Sequence, residues 1–215
     1  MARDLKQFYS FGKKIIGAGV NYRSLVAERN VAVPKQPILF LKPTTTYISE
    51  GQEIEIPPGY EVDHEVELGV IIGRKCKNVS PDEAENYIAG FCLALDLTAT
   101  NLIKEARANG HPWTVSKGFD TATPVSEAIA KTTLSCHDDV RLWCSVNDVV
   151  RQDNTTADMV FSVKELVSFA SKNMTLEPYD LILTGSPAGV GPIRPGDVVK
   201  AGLGSELSIC FTVKK

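Results

Sequence analysis

Acidic residues recur at every second position in Glu61-Val-Asp63-His-Glu65-Val-Glu67. In a strand, where side chains alternate between faces, Asp63, Glu65 and Glu67 share one face, and Val66, Leu68 and Val70 share the other. Like charges along one face repel, so this face needs either water, as on a half-solvated edge strand, or a bound cation. A second segment favours the cation. Asp96 is the lone acid in the apolar run Phe91-Cys-Leu-Ala-Leu-Asp-Leu-Thr, and a buried carboxylate is costly unless a positive group, a proton or a metal meets it. Glu65, Glu67 and Asp96 together make a hard, all-oxygen ligand set that suits Mg²⁺, Mn²⁺ or Ca²⁺ and disfavours zinc.

Other pairings carry less. The five cysteines are scattered and show neither C-x-x-C pairs nor zinc spacing with the three histidines, as in a protein kept reduced. Cys136-His137 reads as an ordinary loop pair, because sequence neighbours seldom face each other as nucleophile and base. Gly17-x-Gly19 lacks the third glycine and the long crossover helix of a dinucleotide loop.

The elements around these residues are mostly strands. Strand composition appears at 13–20 (KKIIGAGV), 37–43 (PILFLKP) and 54–59 (IEIPPG), punctuated by glycine and proline. Residues 21–33 read as a charged, partly helical flap. Ser80-Pro81-Asp82-Glu83 opens a helix that ends by Gly90, and Ser162-x-x-Glu165 opens another with Val163, Leu166, Val167 and Ala170 on one face. A further helix spans Thr98 to Ala108, so Asp96 stands just before a helix start. Asn147-Asp148 marks a tight hairpin turn, and strands with glycine turns finish the chain.

At 215 residues the chain can bury one sizeable core, which predicts one domain. A net charge of −3 from interspersed acids and bases leaves no cationic stripe for nucleic acid. No apolar run approaches bilayer length, so no membrane span is expected.

Three strings in this order resemble the fumarylacetoacetate hydrolase family: His64-Glu-Val-Glu-Leu-Gly-Val-Ile-Ile-Gly, then Ala94-Leu-Asp-Leu-Thr-Ala with Pro112-Trp-Thr-Val-Ser-Lys-Gly-Phe-Asp, then Leu183-Thr-Gly-Ser-Pro-Ala-Gly-Val-Gly-Pro. The similarity runs from about Phe11 to the C-terminus and is closest to the branch holding mitochondrial acylpyruvase and oxaloacetate decarboxylase or tautomerase. It implies an α+β, β-rich fold, a mixed β-roll or β-sandwich with short peripheral helices, forming one catalytic domain over residues 1–215 and usually a homodimer. It also implies Mg²⁺, with Mn²⁺ as the substitute, on Glu65, Glu67 and Asp96. Lys117 matches the active-site lysine, and Gly185-Ser186 matches a substrate-contacting Gly-Thr, with serine keeping the hydroxyl. Lys42 matches a common family residue whose role stays open between substrate contact and structure. The relatives point to the mitochondrial matrix, with the cytoplasm as the alternative, and Arg3, Lys6, Lys13 and Lys14 against Asp4 make the N-terminus basic.

The implied substrate is a small 2-oxo acid, whose carboxylate and keto oxygens chelate the cation while an enolate forms at the neighbouring carbon. Oxaloacetate decarboxylation, keto–enol exchange and acylpyruvate cleavage share that enolate. Hydrolysis also needs an activated water, which the family takes from a flap His/Glu pair. Here Leu25 stands at the histidine position, and Glu28 keeps only the acid. An Arg and a Gln after the metal aspartate align with Thr100 and Ile103, and the Arg of Gly-Arg-Asn-Tyr becomes Val20. Two explanations follow: an enzyme confined to the enolate step, or a weakened relative with a binding or structural role. Acylpyruvate hydrolysis ranks below decarboxylation or tautomerisation.

Overall fold

The computed structural model describes residues 4–134 and 136–215, so Arg3 of the basic N-terminal group lies outside the described residues. The fold is α+β and rich in strands. An eight-stranded mixed sheet runs in the order Ile38–Lys42, Ile15–Gly19, Leu181–Leu183, Val66–Ile72, Ile88–Leu95, Thr123–Val125, Tyr47–Ser49, with Ile129–Ala130 also pairing to Ile88–Leu95. Two of its pairs are parallel, Ile15–Gly19 with Leu181–Leu183 and Tyr47–Ser49 with Thr123–Val125. A four-stranded sheet (Val149–Thr155, Arg141–Val146, Val198–Leu203, Leu207–Thr212) and a three-stranded one (Gly191–Ile193, Val62–His64, Thr98–Ala99) complete it.

The central pair, Val66–Ile72 and Ile88–Leu95, is a near-continuous apolar run because both of its faces are covered. Leu68, Val70, Ile72, Phe91, Leu93 and Leu95 are buried in one core, each contributing about 1.5–3 kcal/mol of transfer free energy. The register of this pair builds the site. Val66 faces Leu95 and Glu67 faces Ala94, and the Asp96 amide, one residue past the strand end, donates to the Glu65 carbonyl at 2.8 Å. Two segments distant in sequence thus bring three carboxylates to one strand end.

Both capping boxes form, Ser80 with Glu83 and Ser162 with Glu165. The helix Val163–Asn173 buries the expected face. Thr100–Asn109 is helical and stops at Gly110, whose φ of 67° is the left-handed conformation of a helix C-terminus. The hairpin turn has Asn147 and Asp148 at φ 52° and 63°, which Asn and Asp tolerate best among residues with a Cβ.

Three expectations change. Residues 61–67 are not one strand: Val62–His64 belongs to the small sheet and Val66–Ile72 to the large one, with Glu65 at the break. Residues 54–59 form no strand beyond an isolated bridge from Ile54 to Val213, because Pro57 and Pro58 supply no N–H to a ladder. The helix after Ser80 is one turn, Pro81–Ala84, continued as a 3-10 turn to Tyr87, and the apolar run from Ile88 then joins the sheet. In the segment 21–33, Arg23–Glu28 is helical with Leu25 and Val26 buried.

Candidate metal centre

Glu65, Glu67 and Asp96 converge: each offers a carboxylate oxygen within 4.8 Å of the others. Glu67 and Asp96 are each 1% exposed, and Glu65 is half-buried. Asp63 does not join them. It faces a neighbouring cleft, where burial and the charge of Glu65 push its carboxyl up to about 6.

Each ligand is held. Thr98 Oγ1 donates to Glu65 Oε1 at 3.0 Å, and the Gly185 amide donates to Glu67 Oε2 at 2.7 Å. Gly185 sits at φ 93°, where a Cβ would lie 2.7 Å from the Asn21 Cβ; only glycine fits this approach. Asp96 is flanked by two buried ammonium groups. Lys42 Nζ lies 2.6 Å from Oδ1 and 2.7 Å from the Ala122 carbonyl, and Lys117 Nζ donates to Oδ2. Lys117 also reaches Glu65 Oε2 at 3.5 Å.

The charges sort the proton affinities. Burial alone would raise Asp96, but Lys117 and Lys42 outweigh it and hold the carboxyl below its ordinary range. Glu67 lacks such a partner; burial first, then Asp96 and Glu65, push it well up. Burial lowers Lys42. For Lys117 burial acts in the same direction, yet Asp96 and Glu65 win and raise it, so its ammonium stays charged. Three carboxyl groups beside two lysines make a cluster of oxygen donors, which fits a hard divalent cation and not a soft one.

Lys117 ends the one-turn helix Thr114–Lys117 and lies over the Phe40 ring at 4.7 Å. A Cβ at Gly17 would overlap that ring at 2.1 Å. Gly17 therefore serves ring packing within the strand Ile15–Gly19 and not a phosphate loop.

Ser186 is buried, and its Oγ accepts from Gln152 Nε2 at 2.7 Å. Gln152 is a connection that sequence reasoning misses. Its Nε2 also donates to the Pro187 carbonyl, and its Oε1 accepts from the Val66 amide at 3.1 Å and meets His64 Nδ1 at 2.9 Å. With that oxygen an acceptor, the His64 proton sits on Nδ1. A register shift opposite Cys144 and Ser145 accompanies the inward turn of Gln152. Nothing in the polar string Val-Val-Arg-Gln-Asp-Asn-Thr signals this role.

The flap positions do not form a dyad. Leu25 is 2% exposed within the main core, and Glu28 Oε1 accepts the Gly189 amide at 3.0 Å. Val20 has φ 55°, a strained conformation for a β-branched residue. Thr100 Oγ1 donates to the Glu61 carbonyl, and Ile103 is buried. His137 is buried against Phe91, ring centroids 4.9 Å apart, while Cys136 is exposed, as an ordinary loop pair would be.

Residues 14–214 match the family model for the fumarylacetoacetate (FAA) hydrolase C-terminal domain. The chain is 40% identical over 215 residues to the mitochondrial oxaloacetate tautomerase FAHD1 of Bos taurus, covering 100% of this chain and 97% of that one. It is 43% identical over 201 residues to the mitochondrial oxaloacetate decarboxylase of Dictyostelium discoideum, covering 93% and 92%. The crystal structure of yeast ynq8, a fumarylacetoacetate hydrolase family protein, superposes with a TM-score of 0.88 at 35% identity, covering 98% and 96%. A curled mixed sheet, a carboxylate trio at one strand end and full-length similarity agree: the chain belongs to the fumarylacetoacetate hydrolase family.

Proposed function

We propose that the chain, as one catalytic domain, interconverts the keto and enol forms of oxaloacetate or removes its C4 carboxylate, using a divalent cation held by Glu65, Glu67 and Asp96. The observation that carries this reading is the trio of ligand oxygens within 4.8 Å, with the Lys117 ammonium against two of the three carboxylates. Relatives named for both oxaloacetate reactions support it. When bound, Mg²⁺, or Mn²⁺ in its place, supplies Lewis-acid charge to the carboxylate and keto oxygens of a 2-oxo acid.

Lys117 moves the proton. In decarboxylation the C3–C4 bond breaks, CO₂ leaves, and its electron pair remains as the enolate of pyruvate, which takes a proton at C3. In ketonisation of the enol, C3 gains a proton while the enol oxygen loses one. A lysine kept charged by Asp96 and Glu65 is a donor to C3. Ser186, whose oxygen accepts from Gln152, has its own proton free for a substrate oxygen. Gly185 acts through its amide, by orienting Glu67, and Lys42 neutralises Asp96 from the side opposite Lys117.

Acylpyruvate hydrolysis ranks below these reactions. Leu25 cannot take a proton and is packed in the core, and Glu28 is engaged with Gly189. We propose the mitochondrial matrix as its location, following relatives named as mitochondrial, and a homodimer as its assembly.

The deciding experiment is thermal unfolding of EDTA-treated protein with Mg²⁺ and then oxalate, alongside oxaloacetate enol absorbance and pyruvate release. The reading expects a Mg²⁺ shift enlarged by oxalate, and turnover lost by about 10²-fold or more in Lys117→Met with that shift retained. An oxalate-enhanced shift with no turnover of oxaloacetate would reject the enzyme and leave a binding protein.

A further inference from the structure

A surface cleft of about 250 Å³ opens onto Glu65 and is lined by Arg29, Asp63, Thr98, Thr100, Ile103, Lys104 and Arg107. On its wall the Thr100 hydroxyl is turned to the Glu61 carbonyl and Ile103 is apolar. The cleft has positive charge from elsewhere. Arg107 lies one turn beyond Ile103 on the helix Thr100–Asn109, on the same face. Arg29 caps the C-terminus of the helix Arg23–Glu28, so the two guanidinium groups enter the cleft from different elements.

Neither arginine makes a carboxylate ion pair among the described residues, although Arg29 acts on Asp63 and Glu65 on Arg107 at longer range. Among the described residues no hydrogen bond or ion pair within 4 Å engages either guanidinium group or the Lys104 ammonium. Arg107 instead lies over the Trp113 ring at 4.8 Å. Trp113 packs on Phe40, with centroids 5.7 Å apart, and Phe40 carries Lys117. This stack links the Arg107 head group to the proposed proton donor through two aromatic rings. Partial desolvation and then the charge of Arg29 push Arg107 below its ordinary range, outweighing the opposing charge of Glu65. Asp63 is in the same cleft and feels Arg29, yet it makes no ion pair with it.

We propose that Arg29 and Arg107 clamp the distal carboxylate of a 2-oxo dicarboxylic acid whose 2-oxo acid end lies at the Glu65–Glu67–Asp96 centre. The inference rests on the metal reading above and goes beyond it by assigning substrate selectivity to two residues outside the metal set. Paired guanidinium groups suit a carboxylate because their N–H forks match its two oxygens. The clamp selects dicarboxylates against 2-oxo acids with an apolar tail.

Malate and lactate test it, since both chelate a cation through a carboxylate and a 2-hydroxyl and only malate has the distal carboxylate. Oxalate, which has no distal arm, reports the metal centre alone. Calorimetric titration of the Mg²⁺-loaded full chain should give about tenfold or tighter binding of malate than of lactate. In Arg29→Met/Arg107→Met that preference should fall to about twofold or less, with oxalate affinity unchanged. Arg107→Lys, which keeps the charge and loses the fork, should fall between. The side chains are at the surface, so the variants' melting temperatures verify that they fold. A malate preference that survives the double substitution overturns the clamp while leaving the metal centre intact; failure of oxalate to bind the native Mg²⁺-loaded chain overturns the metal reading and the clamp with it.

Discussion

Glu67→Gln should change the sign of its effect on stability according to whether a divalent cation is present. Two carboxylate charges at the 4.8 Å outer separation of the trio repel by about 3.5 kcal/mol at an effective dielectric of about 20. Burial and then the charges of Asp96 and Glu65 outweigh Lys117 and the Gly185 amide, so Glu67 keeps its proton above the ordinary glutamate range. A glutamate raised in the folded state favours folding at low pH, and that contribution is lost as pH rises through the raised value. In EDTA, the amide introduced by Glu67→Gln imitates the protonated acid and can accept the same Gly185 N–H. The variant should therefore match the native chain within about 0.5 kcal/mol at pH 4, below the unfolded glutamate value, and exceed its stability increasingly as pH rises above that. With Mg²⁺ at about 100 times its dissociation constant the native chain gains about 2.7 kcal/mol. That corresponds to about 5–10 °C for a chain of this length, and the variant should gain little. Thermal unfolding at two pH values, with and without Mg²⁺, gives all four numbers. Equal Mg²⁺ shifts in both proteins would refute Glu67 as a ligand. A variant markedly less stable in EDTA at every pH would refute the charge argument.

Lys42→Met should destabilise the fold by about 3 kcal/mol in chemical denaturation, since it strips a buried partner from Asp96 and leaves the Ala122 carbonyl unpaired; an unchanged midpoint would mean Lys117 alone suffices. Asp63, up at about 6, favours folding fully below pH about 3.9 and loses that contribution as pH climbs to 6. Asp63→Asn should therefore stabilise the EDTA-treated chain above pH 6 and not at pH 4, by about 1 kcal/mol once its partial exposure is allowed for. Leu25→His should cost about 2 kcal/mol, because the imidazole enters a core site, and should give no acylpyruvate cleavage. A stable variant that cleaves acetylpyruvate would show that position 25 can turn to the cleft.

The trio was legible because its acids stood out locally, Glu65 and Glu67 in an acidic every-second-residue run and Asp96 alone in an apolar one, and strand register then brought the two segments into one site. Lys42 carried the same signal, a charge within Ile38–Lys42, and read as the partner of Asp96 it would have had a role. The capping boxes and the Asn-Asp turn were legible for the same reason, as their physics is local. What sequence hid was long-range. The break at Glu65 follows from which sheet pairs each half of 62–72, and the core position of Leu25 from the packing of the helix Arg23–Glu28. Gln152, with partners from 34 to 88 residues away, and Arg29 with Arg107 across one cleft join distant segments, which no periodicity reveals.

Gln152 also bears on how this protein can change. One side chain serves the Val66 amide, His64, Ser186 and the Pro187 carbonyl, and it belongs to a strand remote in sequence from every ligand. Any single replacement leaves several buried groups wanting at once, so position 152 tolerates no gradual drift. Selection for a new substrate would move freely at the cleft wall, through residues such as Thr100, Ile103 and Arg107, and would find the loop at Ser186 locked from behind. Specificity in this chain is thus open to revision at its rim and conservative at its floor.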